Sequence, residues 1–310
     1  MPILEIPSDA PAPVVGFIGL GDIGGPIATR IARAGLELWV HDLRVEAAAA
    51  VAAAGAKVAS CIAEVARHTE VICLCVVDDA QLRGVMSELG PLLRPGQVVA
   101  VHSTVQPRTV VEIAAALPVG VALLDAPVSG ARPAALDGTL TVMIGGPGEG
   151  PVDGATDPAV QACLPVFAAY ARVVHHVGGL GSGQATKIVN NIMLHVNHLV
   201  ALEAMRFGRE FGLDEAETVE IVRRSTGDSW VMRTWGFFDD FMLNHTQAGQ
   251  DSVYGMLTKE MWNAVLIAKE RGLPLPFTAL GVQLSKGLVQ EREAHLGVLP
   301  PARAESDGRE

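Results

Sequence analysis

The chain has 310 residues, 49% hydrophobic and 18% charged, with a formal net charge of -11. That length suggests two domains, and the balance allows a large buried core. The acidic surplus argues against nucleic acid or an anionic membrane surface as a partner, but not against a small acidic substrate in a locally positive pocket.

The start, MPILEIPSDAPAP, reads as a loose lead-in over residues 1–13. It has neither the basic n-region nor the apolar core of a signal peptide, and no later run is long enough to span a membrane, so a cytoplasmic protein without membrane association is expected. Val14 to Gly19 is a short apolar run, expected as a buried strand. Gly19-Leu20-Gly21-Asp22-Ile23-Gly24 follows, then a helical pattern through Ile27, Ile31 and Ala34, then a second strand, Leu38 to His41, ending in Asp42. A lone G-x-G-x-x-G is weak evidence. Between strand and helix, with an acid about 20 residues on, it is a dinucleotide-binding fingerprint. Gly19 permits the tight turn, Gly21 lets backbone approach a pyrophosphate, and Gly24 lets helix and strand pack closely. The phosphates then meet the N–H groups of the helix start. Asp42 suits ribose hydroxyls and favours NAD, while Arg44 offers the alternative of pairing with the 2′-phosphate of NADP. Asp22 is unusual, because a carboxylate near the pyrophosphate is unfavourable unless it points to water.

Strands and helices go on alternating. Val45 to Ala54 is an Ala-rich helix, Lys57 to Ala59 and Val71 to Val77 are strands, and Ala80 to Leu93 is a helix stopped by Pro95-Gly96. Val98 to Val101 is the next strand and opens into His102-Ser103-Thr104. The pattern predicts a doubly wound, mostly parallel sheet. Ligands lie beyond the carboxyl ends of such strands, which puts Val76, Val77 and Thr104 at the crevice; Thr104 equally suits a helix cap. Asp125-Ala126-Pro127-Val128-Ser129-Gly130 leaves a strand into a small-residue loop, where Ser129 and the N–H groups near Gly130 can hold a carboxylate or simply build a turn. Thr139 to Gly145 and Arg172 to Val177 are expected to finish the sheet, with a long Gly/Pro/Asp loop over Gly146 to Asp157 between them. No His or second Cys pair stands at zinc spacing around Cys61, Cys73, Cys75 and Cys163, so buried reduced thiols and no metal are expected.

Gly181 to Gly212 is the longest helical pattern. Ile188, Ile192, His195, Leu199 and Leu202 recur at helical spacing, and at about 1.5 Å per residue the stretch runs roughly 40 Å, enough to bridge two domains. Lys187 and Asn191 share a face at the Gly-rich entry. A cation beside a neutral amide suits a small oxygenated substrate, though solvated polar residues at a helix start read the same way. His195 and His198, on the same helix, fit a proton relay or a core position; no acid partner is evident. The aromatic run Trp230 to Phe241 is expected to pack a core, with Trp230 and Phe237 near a side-group pocket. From Glu291 the chain turns polar, a frayed tail over 291–310.

Four blocks, GFIGLGDIG (16–24), DAPVSG (125–130), GSGQATKIVNN (181–191) and Lys259-Glu260 before an apolar helix, resemble the β-hydroxyacid dehydrogenase family, in its 3-hydroxyisobutyrate dehydrogenase branch. The resemblance runs from about residue 14 to 290. It implies a Rossmann domain over 14–180 and an all-helical substrate and oligomerisation domain over 181–290, joined by the helix of 181–212. It implies that Lys187 is the catalytic acid/base, that Ser129, Gly130 and Asn191 hold the substrate, and that Gly19, Leu20, Gly21, Asp22, Ile23, Gly24, Asp42, Val76, Val77, Thr104 and Lys259 hold NAD or NADP. The implied substrate is a small hydroxy acid or its semialdehyde, and the implied assembly a homodimer or homotetramer. Glu260 stands where the family usually has Asp, and Ala131 where a second Gly is common. Imine reductases share the architecture but usually carry another residue at the position of Lys187. A cofactor-binding protein without catalysis would be expected to have lost that lysine or the Ser129 loop.

Overall fold

The computed structural model describes residues 4, 12–146, 157–243 and 247–297. The chain divides into two compact units, residues 1–187 and 188–310.

In the first unit the described strands are β1 (Val15–Ile18), β2 (Leu38–His41), β3 (Lys57–Val58), β4 (Val71–Leu74), β5 (Val98–Val101), β6 (Ala122–Asp125), β7 (Val128–Ser129), β8 (Leu140–Gly146) and β9 (Ala171–Gly179). The helices between them are α1 (Gly24–Arg33), α2 (Val45–Ala52), α3 (Ile62–His68), α4 (Asp79–Leu89), α5 (Pro107–Ala115), α6 (Ala131–Asp137) and α7 (Pro158–Ala168). The strand order is β3-β2-β1-β4-β5-β6-β8-β7, with β9 on β8. The first six strands are mutually parallel, and β8 turns antiparallel to β6. This is the expected doubly wound sheet.

Alternation along the central strands explains why they read as unbroken apolar runs. Val71 and Cys73 of β4, with Val98 and Ala100 of β5, pack into one core layer; Ile72, Leu74, Val99 and Val101 pack into the layer on the opposite face. Strands covered on both faces have no polar side to alternate with.

Helix α8 (Ser182–Glu210) leaves the first unit and enters the second. It ends at Gly212, whose φ of 70° lets Leu213 N–H reach back to the Gly208 carbonyl at 3.1 Å. The second unit continues with α9 (Glu215–Arg223), α10 (Trp230–Arg233), α11 (Phe237–Leu243), α12 (Gln247–Glu270) and α13 (Pro276–His295). Ala201, Met205, Val219, Val231 and Met232 form a core there. Gly281 lets α13 close on its neighbours: a Cβ at that position would stand 3.0 Å from Leu199. No helix of the described residues is long and apolar enough to cross a membrane.

Several expectations need correction. Leu4 is not loose: it is buried, and its N–H donates to the Val174 carbonyl at 3.0 Å. The strand expected over 71–77 stops at Leu74, leaving Val76 and Val77 in the loop past its end. Cys61 is exposed, whereas Cys73 and Cys163 are buried; all four thiols are free. Trp230 is 42% exposed rather than a core residue, and it meets Phe237 edge-on at 5.4 Å. The tail does not begin at 291, because α13 runs on to His295 and Arg292 is only 5% exposed. The middle of the loop expected over 146–157, the side chain of Phe241 and residues 298–310 lie outside the described residues.

Candidate functional site

The glycine loop joins β1 to α1. Gly19 has a φ of 93°, and a Cβ there would lie 2.4 Å from the Cys75 carbonyl oxygen. A Cβ on Gly24 would lie 2.1 Å from the Gly19 carbonyl oxygen. Both positions therefore demand glycine. Gly21 differs, since nothing lies within 4 Å of the position its Cβ would take. No side chain caps α1 and no acid stands in its first turn. Open space beside bare backbone at a helix start fits a dinucleotide pyrophosphate. Asp22 is exposed, the orientation that such a ligand tolerates.

Asp42 sits one residue past β2. Leu20 N–H donates to its Oδ2 at 2.6 Å, Arg44 N–H to its Oδ1 at 2.8 Å, and the Arg44 guanidinium to both oxygens at 3.2 and 3.3 Å. Burial alone would raise the carboxyl pKa; the Arg44 and Leu20 hydrogen bonds and the Arg44 charge outweigh it and lower it. Asp42 thus shapes the glycine loop through Leu20. The Arg44 side chain over it is 62% exposed, so this ion pair is cheap to open.

Beyond β4 and β5, Val76 is half-buried, Val77 exposed and Thr104 half-buried. Ser103 ties the two loops together, its Oγ accepting from Val76 N–H at 2.8 Å. His102 locks the end of β5: its Nδ1 lies 2.7 Å from the Ala126 carbonyl and its Nε2 3.0 Å from the Tyr170 hydroxyl. A neutral ring satisfies both, donating from Nδ1 and accepting at Nε2. Burial pushes its pKa down to about 4, against a smaller opposite pull from the Ala126 carbonyl. The unfolded chain binds this proton near pH 6.5 and the folded chain only near 4, so His102 favours folding above pH 6.5 and that advantage is lost as pH falls. Between pH 7 and pH 5 the loss is on the order of 2 kcal/mol. Urea unfolding at the two pH values should find it, with a shallower slope in His102→Gln; equal slopes would refute it.

The loop after β6 begins at Asp125, which is fully buried. Its Oδ1 accepts from Gly181 N–H and its Oδ2 from Gln184 N–H, each at 2.7 Å. A Cβ on Gly145 would stand 2.1 Å from Asp125 Oδ1, and one on Gly183 would stand 2.8 Å from Oδ2. The chain is hollowed around this carboxylate. Burial raises its pKa, opposed by N–H donors that include Gly181, Gln184 and Gly183. Sequence reasoning missed this role, because Asp125 and its partners are 56 and 59 residues apart. Four residues on, Ser129 is half-buried at the end of β7, paired in register with Thr141. Gly130 has a φ of 131°. Ala131 holds a φ of 56°, the only non-glycine with positive φ among the described residues. An alanine there carries about 1 kcal/mol of strain that glycine would not.

Lys187 is half-buried, one turn into α8 beyond the residues that Asp125 caps. In the second unit Asn191 is 3% exposed; it donates through Nδ2 to Glu260 Oε2 and accepts from Asn190 Nδ2 at 3.1 Å. Glu260 Oε2 also meets His195 Nε2 at 3.0 Å. His195 therefore has an acid partner after all, 65 residues away in sequence. Lys259 is half-buried on α12. Among the described residues no group of three His, Cys, Asp or Glu side chains can hold a metal ion.

Residues 14–178 match the family model described as the NAD binding domain of 6-phosphogluconate dehydrogenase. Residues 181–299 match the one described as NAD-binding of NADP-dependent 3-hydroxyisobutyrate dehydrogenase. The chain belongs to the β-hydroxyacid dehydrogenase family. It is 35% identical to the NAD-dependent L-serine dehydrogenase of Pseudomonas aeruginosa over 263 residues, 84% of this chain and 83% of that one. It is 31% identical to the 2-(hydroxymethyl)glutarate dehydrogenase of Eubacterium barkeri, with 88% of each chain covered. The crystal structure of a 3-hydroxyisobutyrate dehydrogenase from Salmonella typhimurium superposes with a TM-score of 0.72 at 30% identity, over 90% of this chain and 94% of that one. As a β-hydroxyacid dehydrogenase the protein is an NAD(P)-dependent oxidoreductase acting on a hydroxyl group.

Proposed function

We propose that this dehydrogenase oxidises a small β-hydroxy acid of the 3-hydroxyisobutyrate class with NAD, and that Lys187 is its acid/base. The observation that carries the reading is Asp125. One buried carboxylate opens the loop of Ser129 and Gly130 and also caps the helix start that bears Lys187. The loop proposed to bind the substrate carboxylate thus starts at the residue whose side chain caps the helix of the lysine. Relatives named for serine, hydroxymethylglutarate and hydroxyisobutyrate favour a substrate with a carboxylate and a β-hydroxyl.

In this reading Ser129 and the backbone at Gly130 take the substrate carboxylate, with Asn191 also assigned to the substrate. Gly19 to Gly24, Asp42, Val76, Val77, Thr104 and Lys259 take the cofactor. Bound by these residues, a nicotinamide would supply the hydride acceptor for the carbinol carbon. Lys187 Nζ takes the hydroxyl proton as the C=O bond forms. In the reducing direction its ammonium polarises the carbonyl and returns the proton. Asp42 favours NAD, since its carboxylate would repel a 2′-phosphate. Exposed Val189, Met193, Val200 and Phe207 on α8 support a homo-oligomer, as large apolar patches often mark contact surfaces.

The test is reduced-cofactor formation, followed by absorbance, with 3-hydroxyisobutyrate, serine and 2-(hydroxymethyl)glutarate, each with NAD and NADP. Turnover with one acid and at least about tenfold preference for NAD are expected. No turnover on any acid, in protein that still binds NAD, would overturn the reading.

A further inference from the structure

Gln184 is fully buried at the start of α8, and both ends of its side-chain amide are used. Its Oε1 accepts from Val105 N–H at 3.0 Å, and its Nε2 donates to the Ser103 carbonyl at 2.8 Å. The backbone N–H can only donate and the carbonyl only accept, so the amide has one orientation. The two partners flank a single residue, Thr104. The chain of contacts continues outward through Ser103 Oγ to Val76 N–H at 2.8 Å. It continues inward through Gln184 N–H to Asp125, which also accepts from Gly181. One connected set of hydrogen bonds, buried except at its Val76 end, thus runs from the helix start of Lys187 to the loops of Thr104 and Val76.

We propose that Gln184, held by the Asp125 cap, is a positioning residue for catalysis, fixing the start of the Lys187 helix against the cofactor-crevice loop that carries Thr104. This rests on the assignment of Lys187 as acid/base and of Thr104 to the cofactor. A leucine or methionine would fill the same volume without desolvating an amide, so packing alone does not call for glutamine. What the amide adds is register. Its two hydrogen bonds set both the height and the rotation of the helix start relative to the loop. Proton acceptor and hydride acceptor must be placed accurately relative to each other, and a misplacement of about 1 Å costs on the order of 100-fold in rate. Asp125 sets the same register from the other side, and Gly145 and Gly183 leave it room.

The experiment compares Gln184→Met and Gln184→Glu with wild type by single-turnover hydride transfer, the primary deuterium isotope effect on kcat and the Kd for NAD. Rates are counted per NAD-binding site, so misfolded protein does not contribute. The methionine variant should lose about 10- to 100-fold in hydride transfer, show a larger isotope effect and keep its NAD Kd within about twofold. In the glutamate variant a carboxylate faces the Ser103 carbonyl and the donor is lost. Protonation restores the donor, so its rate relative to wild type should recover as pH falls. Should Gln184→Met not fold, Gln184→Glu, which keeps the length of the side chain and the acceptor for Val105 N–H, carries the test through its pH dependence. Hydride transfer within twofold of wild type in the variants that fold, or a loss of NAD affinity as large as the loss of rate, would overturn the proposal. Lys187→Ala separates the two claims. Turnover persisting there sinks the functional reading, whereas an inactive Lys187→Ala beside normal Gln184 variants sinks this inference alone.

Discussion

Lys187→Ala should reduce turnover by about 100- to 10,000-fold while leaving the Kd for NAD within about twofold. The cofactor contacts expected in the first unit come from the glycine loop, Asp42 and the loops after β4 and β5, and none of them needs the lysine. The half-buried side chain lies just past a helix start that Asp125 and Gln184 hold at several points. Truncating it should therefore leave its surroundings in place. Lys187→Arg sharpens the test. A guanidinium keeps the positive charge but does not release its proton near neutral pH, so a base role predicts that Arg fails nearly as badly as Ala. Activity in the arginine variant close to wild type would mean that the charge matters and the proton does not. Wild-type turnover in the alanine variant would remove Lys187 from the mechanism.

What the sequence made legible follows from how local its physics is. Gly19 and Gly24 could be read because their constraints, a φ of 93° at Gly19 and the 2.1 Å at which a Cβ on Gly24 would meet the Gly19 carbonyl oxygen, arise within a few residues of the motif. The central strands could be read because both faces are covered and the apolar run is unbroken. Helices α3 and α6 were missed: at seven residues each they offer two turns of periodicity and no side-chain cap. The partners of Asp125, Gln184, His195 and Arg292 were missed for another reason. Each lies more than 50 residues away along the chain, where spacing carries no information. The sequence alone put the candidate site residues in view, and the fold supplied the groups packed around them.

Arg292 is the plainest case, and its replacement should destabilise the second unit by about 3 kcal/mol. Composition made residues 291–310 look like a frayed tail, yet Arg292 is 5% exposed inside α13. Its Nη2 donates to Asp239 at 2.7 Å and its Nη1 to Glu215 at 2.8 Å, so α13 is pinned to α11 and α9 at once. Trp235 lies 5.0 Å below the guanidinium and donates through Nε1 to Glu215 at 2.9 Å. Burial would raise the Glu215 carboxyl pKa, but the Arg292 and Trp235 hydrogen bonds and the cationic neighbours win and hold it at about 2. Arg292→Met fills much of the space but leaves two shielded carboxylates without this cation. Glu215 keeps Arg209 at 3.4 Å, which sets the expected loss at the lower end for a broken buried pair. Arg292→Lys restores charge without the planar fork and should recover only part of it. A depressed carboxyl pKa means that the stabilisation is present above pH 4.5 and is lost as pH falls toward 2. The difference between wild type and Arg292→Met in urea unfolding should therefore be full at pH 7 and shrink in strong acid. A chain ending at residue 290 makes the same point without a point mutation. A frayed tail could be removed at no cost, whereas loss of this clamp should lower the urea midpoint as much as Arg292→Met or more; an unchanged midpoint would return Arg292 to the tail.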